Sequence, residues 1–194
     1  MGGQQMTRAL VTALALALLI AGGVGAQSSS PEASPEAAAP YAPDDLSKTL
    51  PEQVGSVTLA IESVAGTELV TEYPWIGEEL LPALGKEPGD MSAAMGRGSY
   101  AGGDKSLAMI AFRIDGVPAE DWLDPFLAIM DIDLDKPLPD TYVEWLELDD
   151  GRALVLTFDH PIVWQWGFRL KGEVLTMVSP DTGFTAEELL VALP

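Results

Sequence analysis

Ile162, Trp164, Trp166, Phe168 and Leu170 place an apolar side chain at every second position, the period of a strand with one buried face, whereas Val163, Gln165, Gly167 and Arg169 between them form a mixed, wettable face. Turn residues bracket the run, Asp159-His160-Pro161 before it and Lys171-Gly172 after it, so Ala153 to Val178 is expected to form a three-stranded antiparallel meander. Tyr142 to Leu148 predicts a further strand that enters the meander through the hairpin turn Asp149-Asp150-Gly151. Upstream, Val57, Leu59 and Ile61 alternate as a first strand. Gly66 reads as a turn and Glu68 to Glu72 as the returning strand. Leu107 to Ile114 is another strand, with Ala108, Ile110, Phe112 and Ile114 on one face and Arg113 on the other.

Between these lie segments with helical signals. Trp75 to Leu84 reads as a helix ended by Gly85, with Pro82 in its last turn. Asp90 is placed to cap a short helix, Met91 to Met95, stopped by Gly96. In Val117 to Met130, Asp124 resembles an N-cap and Pro125 a first helical residue, so the helix proper is expected at Pro125 to Met130, after a separate turn at Pro118 to Leu123. The last helix carries the fullest signature. Thr185 and Glu188 fit a capping box, Phe184 and Leu189 a hydrophobic staple, and Leu189, Leu190 and Leu193 an apolar stripe. The whole pattern is α+β: a single domain with a mainly antiparallel sheet and helices packed on one face. Leu50-Pro51 and Leu138-Pro139 each precede paired strands, as in a duplication, but the two halves then differ in helix placement.

Residues ahead of this pattern change the picture from fold to destination. Met6 to Ala26 has Arg8 as its only charge, an apolar run from Ala9 to Ile20 and a small-residue end, which predicts a signal peptide over residues 1–26 cleaved after Ala26. The apolar run is shorter than the roughly 20 residues a spanning helix needs, so no membrane association is expected beyond the signal peptide. Residues 27–49 are rich in Pro, Ala, Ser and Glu without apolar periodicity and are expected to be a disordered leader, with residues 50–194 as the α+β domain. The product would be secreted or periplasmic.

The absence of Cys excludes disulfides, thiolate nucleophiles, thiolate zinc sites and a lipid-modified cysteine. Asn is absent too, which beside abundant Ala, Gly and Pro fits a GC-rich bacterial genome. The formal net charge is −20. Such a charge excludes nucleic acid and anionic lipid surfaces as natural partners and favours a soluble monomer.

Candidate chemistry is sparse. His160 is the only His and reads as a turn residue. Asp131, Asp133 and Asp135 have the alternate spacing of a calcium loop, but Lys136 stands where that loop needs Gly, Pro137 follows, and Tyr142 replaces its final Glu; they are weak calcium candidates on a solvated acidic edge. Gly96 to Ser106 echoes a dinucleotide-binding loop outside its strand-to-helix context, so no cofactor is expected. Acid pairs occur at Glu78-Glu79, Glu120-Asp121, Asp149-Asp150 and Glu187-Glu188. Of the five Trp, Trp164 and Trp166 lie on the core face of their strand, whereas Trp75, with Tyr73 beside it, and Trp122 are the candidates for an exposed ligand-binding surface. The expected function is that of an exported bacterial non-enzymatic binding or structural module for a small molecule, glycan or protein. The alternative is an extracytoplasmic hydrolase using an Asp/Glu pair on cell-envelope or extracellular polymer. Expressed with residues 1–26 in a bacterial host, the exported product should begin at Gln27 by N-terminal mass spectrometry; an intact N-terminus in the membrane fraction would make the segment an anchor instead.

Overall fold

The computed structural model describes residues 44–99, 106–136, 139–159, 163–180 and 184–194, so the segment expected to be a signal peptide, most of the expected leader, the tip of the glycine-rich loop and His160 lie outside the described residues. A short helix α1, Asp44–Ser47, precedes a small hairpin of β1, Gln53–Val54, and β2, Val57–Thr58. Then follow β3, Ala60–Ala65; α2, Gly66–Glu72; a π-helical turn, Ile76–Leu80, running into α3, Leu81–Ala83; β4, Met91–Ser99; and β5, Ser106–Ile114. The second half comprises α4, Ala119–Ile129; β6, Thr141–Leu148; β7, Gly151–Asp159; β8, Val163–Lys171; β9, Val174–Pro180; and α5, Ala186–Val191. Strands β3 to β9 form one seven-stranded sheet in the order β3-β4-β5-β9-β8-β7-β6, antiparallel throughout. The α+β class, the single domain and the expected meander β7-β8-β9 with its β6 hairpin are all present.

Three elements differ from expectation, each because tertiary burial outweighed a local signal. Glu68 to Glu72 belongs to α2, because Leu69, Tyr73, Ile76 and Leu80 recur at helical spacing and all four are buried on one side. Met91 to Met95 is not a helix but the start of β4. Met91, Ala93 and Met95 face one core and Ala94 the other, so a run that looks continuously apolar is a strand buried on both sides. Asp90 instead closes the preceding 3-10 turn, its carboxylate accepting from Glu87 N at 2.9 Å. Finally, α4 is one helix from Ala119 to Ile129 with Pro125 inside it. Ala119, Trp122, Leu123, Phe126 and Leu127 supply an unbroken buried stripe, while the backbone bond forfeited at Pro125 would fall on Asp121 along the exposed side.

The sheet separates two cores, and helices cover both faces rather than one. On the first face α2, the π-helical turn, α3 and α4 pack against Phe112, Leu156, Phe158, Trp166 and Phe168. On the second, α1, the β1-β2 hairpin and α5 pack against small or slim residues such as Ala94, Ala111, Ala153 and Val178. The glycines of β4 belong to this economy of space: a Cβ on Gly98 would stand 2.5 Å from the carbonyl oxygen of Thr58. Leu46 of α1 is buried in the second core, so the folded segment includes residues ahead of Leu50.

The face of β8 expected to be wettable is the seat of α5. Gln165 Oε1 accepts from Ala186 N at 3.0 Å at the start of the helix. At Gly167 a Cβ would come within 2.8 Å of Leu190 Cδ1, so the helix rests on bare backbone. Arg169, only 7 % exposed, donates to the carbonyl oxygen of Leu193 at 2.7 Å beyond the helix end. The capping box is formed, with Glu188 N donating to Thr185 Oγ1 and Thr185 N to Glu188 Oε2, and such a cap contributes about 1 kcal/mol. The buried guanidinium of Arg169 is paired with Asp150 in the β6-β7 turn at 2.7 Å, and Lys171 reaches the other oxygen of the same carboxylate at 2.6 Å. Hydrogen bonds from Lys171 and Arg169 hold the Asp150 carboxyl down to a pKa of about 2.

Two measurements check this account. Trp122→Ala should lower unfolding free energy by about 3–5 kcal/mol in chemical denaturation, the cost of truncating a fully buried aromatic. Because the Asp150 pKa is depressed in the fold, its stabilising contribution should be complete above about pH 4 and disappear as pH falls toward 2; Asp150→Asn should flatten the acid limb of a melting-temperature profile in that window, and an unchanged limb would remove the clamp from the account.

Candidate functional site

The aromatic residues expected at the surface sit inside. Trp122 is 0 % exposed and Tyr73 is 7 %, and Trp75 is half-buried. The three are joined in one edge-to-face cluster: Tyr73 to Trp75 at 6.4 Å, Trp75 to Phe126 at 5.7 Å and Phe126 to Trp122 at 5.9 Å between ring centroids. Trp122 faces inward because it falls on the buried stripe of α4; the acids around it in sequence point the other way. Burial, with the neighbouring charge of Glu72 adding to it, raises the Tyr73 hydroxyl above its ordinary pKa. Trp164 stacks on Phe158 at 4.1 Å and Trp166 is buried, as their strand face required.

The exposed tryptophan is Trp145, at 40 %. It lies on β6, the last strand of the sheet, and looks into a groove of about 730 Å³ between α4, the loop after it and the β6-β7 hairpin. Leu123, Leu127, Ile132 and Val143 supply the apolar part of the lining. The acidic part is Glu120 and Asp124 from α4 together with Asp131, Asp133 and Asp135 from the loop. Arg152 on β7, opposite Glu147 and so diagonal to Trp145, lays its guanidinium 4.4 Å from the Trp145 ring centroid and brings Nε to 3.0 Å from Glu120 Oε1. Both contacts are solvent-accessible, and each contributes at most about 1 kcal/mol, so they orient Trp145 and Arg152 without locking them.

The loop aspartates are placed by backbone needs. Asp131 has φ 59°, the left-handed position that follows a helix, and there it completes a Schellman ending of α4: Ile132 N donates to Leu127 O at 3.0 Å and Asp131 N to Ala128 O at 3.0 Å. Asp133 Oδ1 accepts from Asp135 N at 2.9 Å, closing the next turn. Their alternate spacing therefore reflects a helix end followed by a turn. Among the described residues no group of three or more carboxylates or imidazoles is gathered to hold a metal ion, so the calcium candidates share a groove rim without forming a coordination shell.

One member of each of three other acid pairs is engaged in the fold. Glu120 pairs with Arg152, Asp150 with Arg169 and Lys171, and Glu188 caps α5. Glu78 and Glu79 lie exposed on the π-helical turn, away from the groove. Among the described residues, no helix is long and apolar enough to cross a membrane. The chain matches no protein-family model, and neither curated proteins nor solved structures give a significant match.

Trp145 escaped the sequence reading because TYVEWLEL does not separate cleanly into a buried and a wet face. The available signal was the position of this strand at the start of the meander, which leaves it at the sheet's edge, together with its two glutamates.

Proposed function

We propose that this chain is an exported bacterial binding module without enzymatic activity, and that its ligand seats in the groove beside Trp145. The observation that carries the reading is the exposed indole at a concave, apolar-floored groove whose rim holds five carboxylates against one Arg. The chemistry that fits is a cationic ligand with an apolar or flat portion: the rim attracts positive charge and the indole face takes both flat groups and cations. The export pattern of residues 1–26 supports an extracytoplasmic setting. The non-enzymatic reading is supported by the engagement of Asp150 in a buried-Arg ion pair, of Glu188 in a helix cap and of Glu120 beside Arg152, arrangements that account for these acids without a proton-transfer role.

Titration with hexalysine at low salt should quench the Trp145 component of fluorescence, taken as the difference between the parent and Trp145→Phe, and added salt should reverse it. A parent that responds no differently from the variant would remove the groove as the site. Release of reducing ends from cell-wall polysaccharide by the purified protein would replace this reading with the hydrolase.

A further inference from the structure

We propose that the outer edge of β6 receives an extended basic peptide as an additional strand of the sheet, with every second side chain of the peptide delivered into the groove. This deepens the groove reading and rests on it, adding the class of partner and the main-chain mode of recognition.

The first support is the edge itself. Among the described residues, β6 pairs with β7 on one side and no strand pairs with it on the other. Its eight residues run in continuous one-to-one register with β7 from Thr141↔Phe158 to Leu148↔Gly151. Edge strands are ordinarily blunted by Lys, Pro, a bulge or shortness. Thr-Tyr-Val-Glu-Trp-Leu-Glu-Leu has none of these. The two-residue turn makes Leu148–Gly151 a hydrogen-bonded pair, and alternation along the ladder then points the N–H and C=O groups of Val143, Trp145 and Glu147 away from β7. The opposite edge is less suited: β3 is six residues long and the groove is not beside it.

The second support is where such a strand would put its side chains. Val143 and Trp145 line the groove, so a peptide paired with β6 presents alternate residues on that same face, toward Trp145 and the carboxylates of α4 and the following loop.

Charge selects the occupant. Glu147 lies on the same face of β6 as Val143 and Trp145 and adds its charge beside the five groove carboxylates, whereas Glu144 projects from the opposite face. A second copy of this chain, at net charge −20, would bring Glu147 and the groove carboxylates against further acidic surface, whereas Lys or Arg at alternate peptide positions, on the groove face, would meet them favourably.

The test is a decapeptide alternating Lys and Val, compared with the same peptide N-methylated at alternate peptide bonds. The unmodified peptide should slow amide exchange at Val143, Trp145 and Glu147 and quench Trp145, and N-methylation should weaken it by about tenfold or more, since main-chain bonds carry strand addition. Glu147→Pro should remove binding, whereas Glu147→Gln should keep the exchange protection with weaker salt dependence. Equal binding of the two peptides, with hexalysine still quenching Trp145, would overturn strand addition and leave the groove reading standing. Failure of the decapeptide and of hexalysine together would remove both. Concentration-dependent dimerisation of the protein alone, abolished by Glu147→Pro, would overturn the proposal in favour of self-pairing.

Discussion

The structure depends on burying β8 on both faces at once. One face carries Trp166, Phe168 and Leu170 into the aromatic core beneath α4, and the other carries Gln165, Gly167 and Arg169 along the length of α5. A strand so placed cannot keep a wet side, so its polar groups need partners. Arg169 is the costly member, because an unpaired buried guanidinium would cost several kcal/mol. Its bonds to Leu193 O and the Asp150 carboxylate pair the charge through the two terminal nitrogens, although Nε has no hydrogen-bond partner among the described residues, and tie the β6-β7 turn, the middle of the sheet and the segment after α5 into one unit.

The same constraint assigns side-chain sizes across the sheet. The face under α2 and α4 takes the rings, which interlock edge to face around Phe126, while the face under α5 and the small hairpin takes alanines and glycines, which let short elements approach closely. Six residues suffice for α5 because Gly167 admits Leu190 nearly to the backbone of β8. Two local two-fold meanders joined at β5 and β9 would place their following helices on the same face, since the axis between antiparallel strands is perpendicular to the sheet. Here α4 and α5 lie on opposite faces, so covering the sheet, rather than repeating a motif, organises the helices.

What could be read in the sequence follows from this arrangement. The meander, the turn at Asp149-Asp150, the strand at Leu107 to Ile114 and the capped final helix were legible, because turn chemistry and caps are local and survive any tertiary context. Met91 to Met95 was not, because a strand buried on both faces loses the period of two. Trp122 was misplaced because Pro125 hid the stripe to which it belongs. The acid-rich neighbourhood of the groove was visible as Asp131, Asp133 and Asp135, but Glu120, Trp145 and Arg152 come to it from separate elements that only the sheet order brings together.

Edge position explains why the polar character of β6 differs from that of the inner strands. Removing an edge's hydrogen-bonding groups from water requires another strand, and a strand left open invites indiscriminate pairing unless charge restricts it. Lys is the usual restriction; here it is Glu144 and Glu147, in a chain with 30 acidic and 10 basic residues. Repulsion between whole molecules is screened beyond about 8 Å at physiological ionic strength, but charges within one ladder or one groove lie closer than that. The glutamates therefore act where pairing would occur, opposing a second acidic copy at contact range and leaving a basic strand free to approach. On the proposal of a basic partner strand, protection against self-pairing and selection of that partner would arise from the same residues, with the sign of the charge on β6 deciding which strands it excludes.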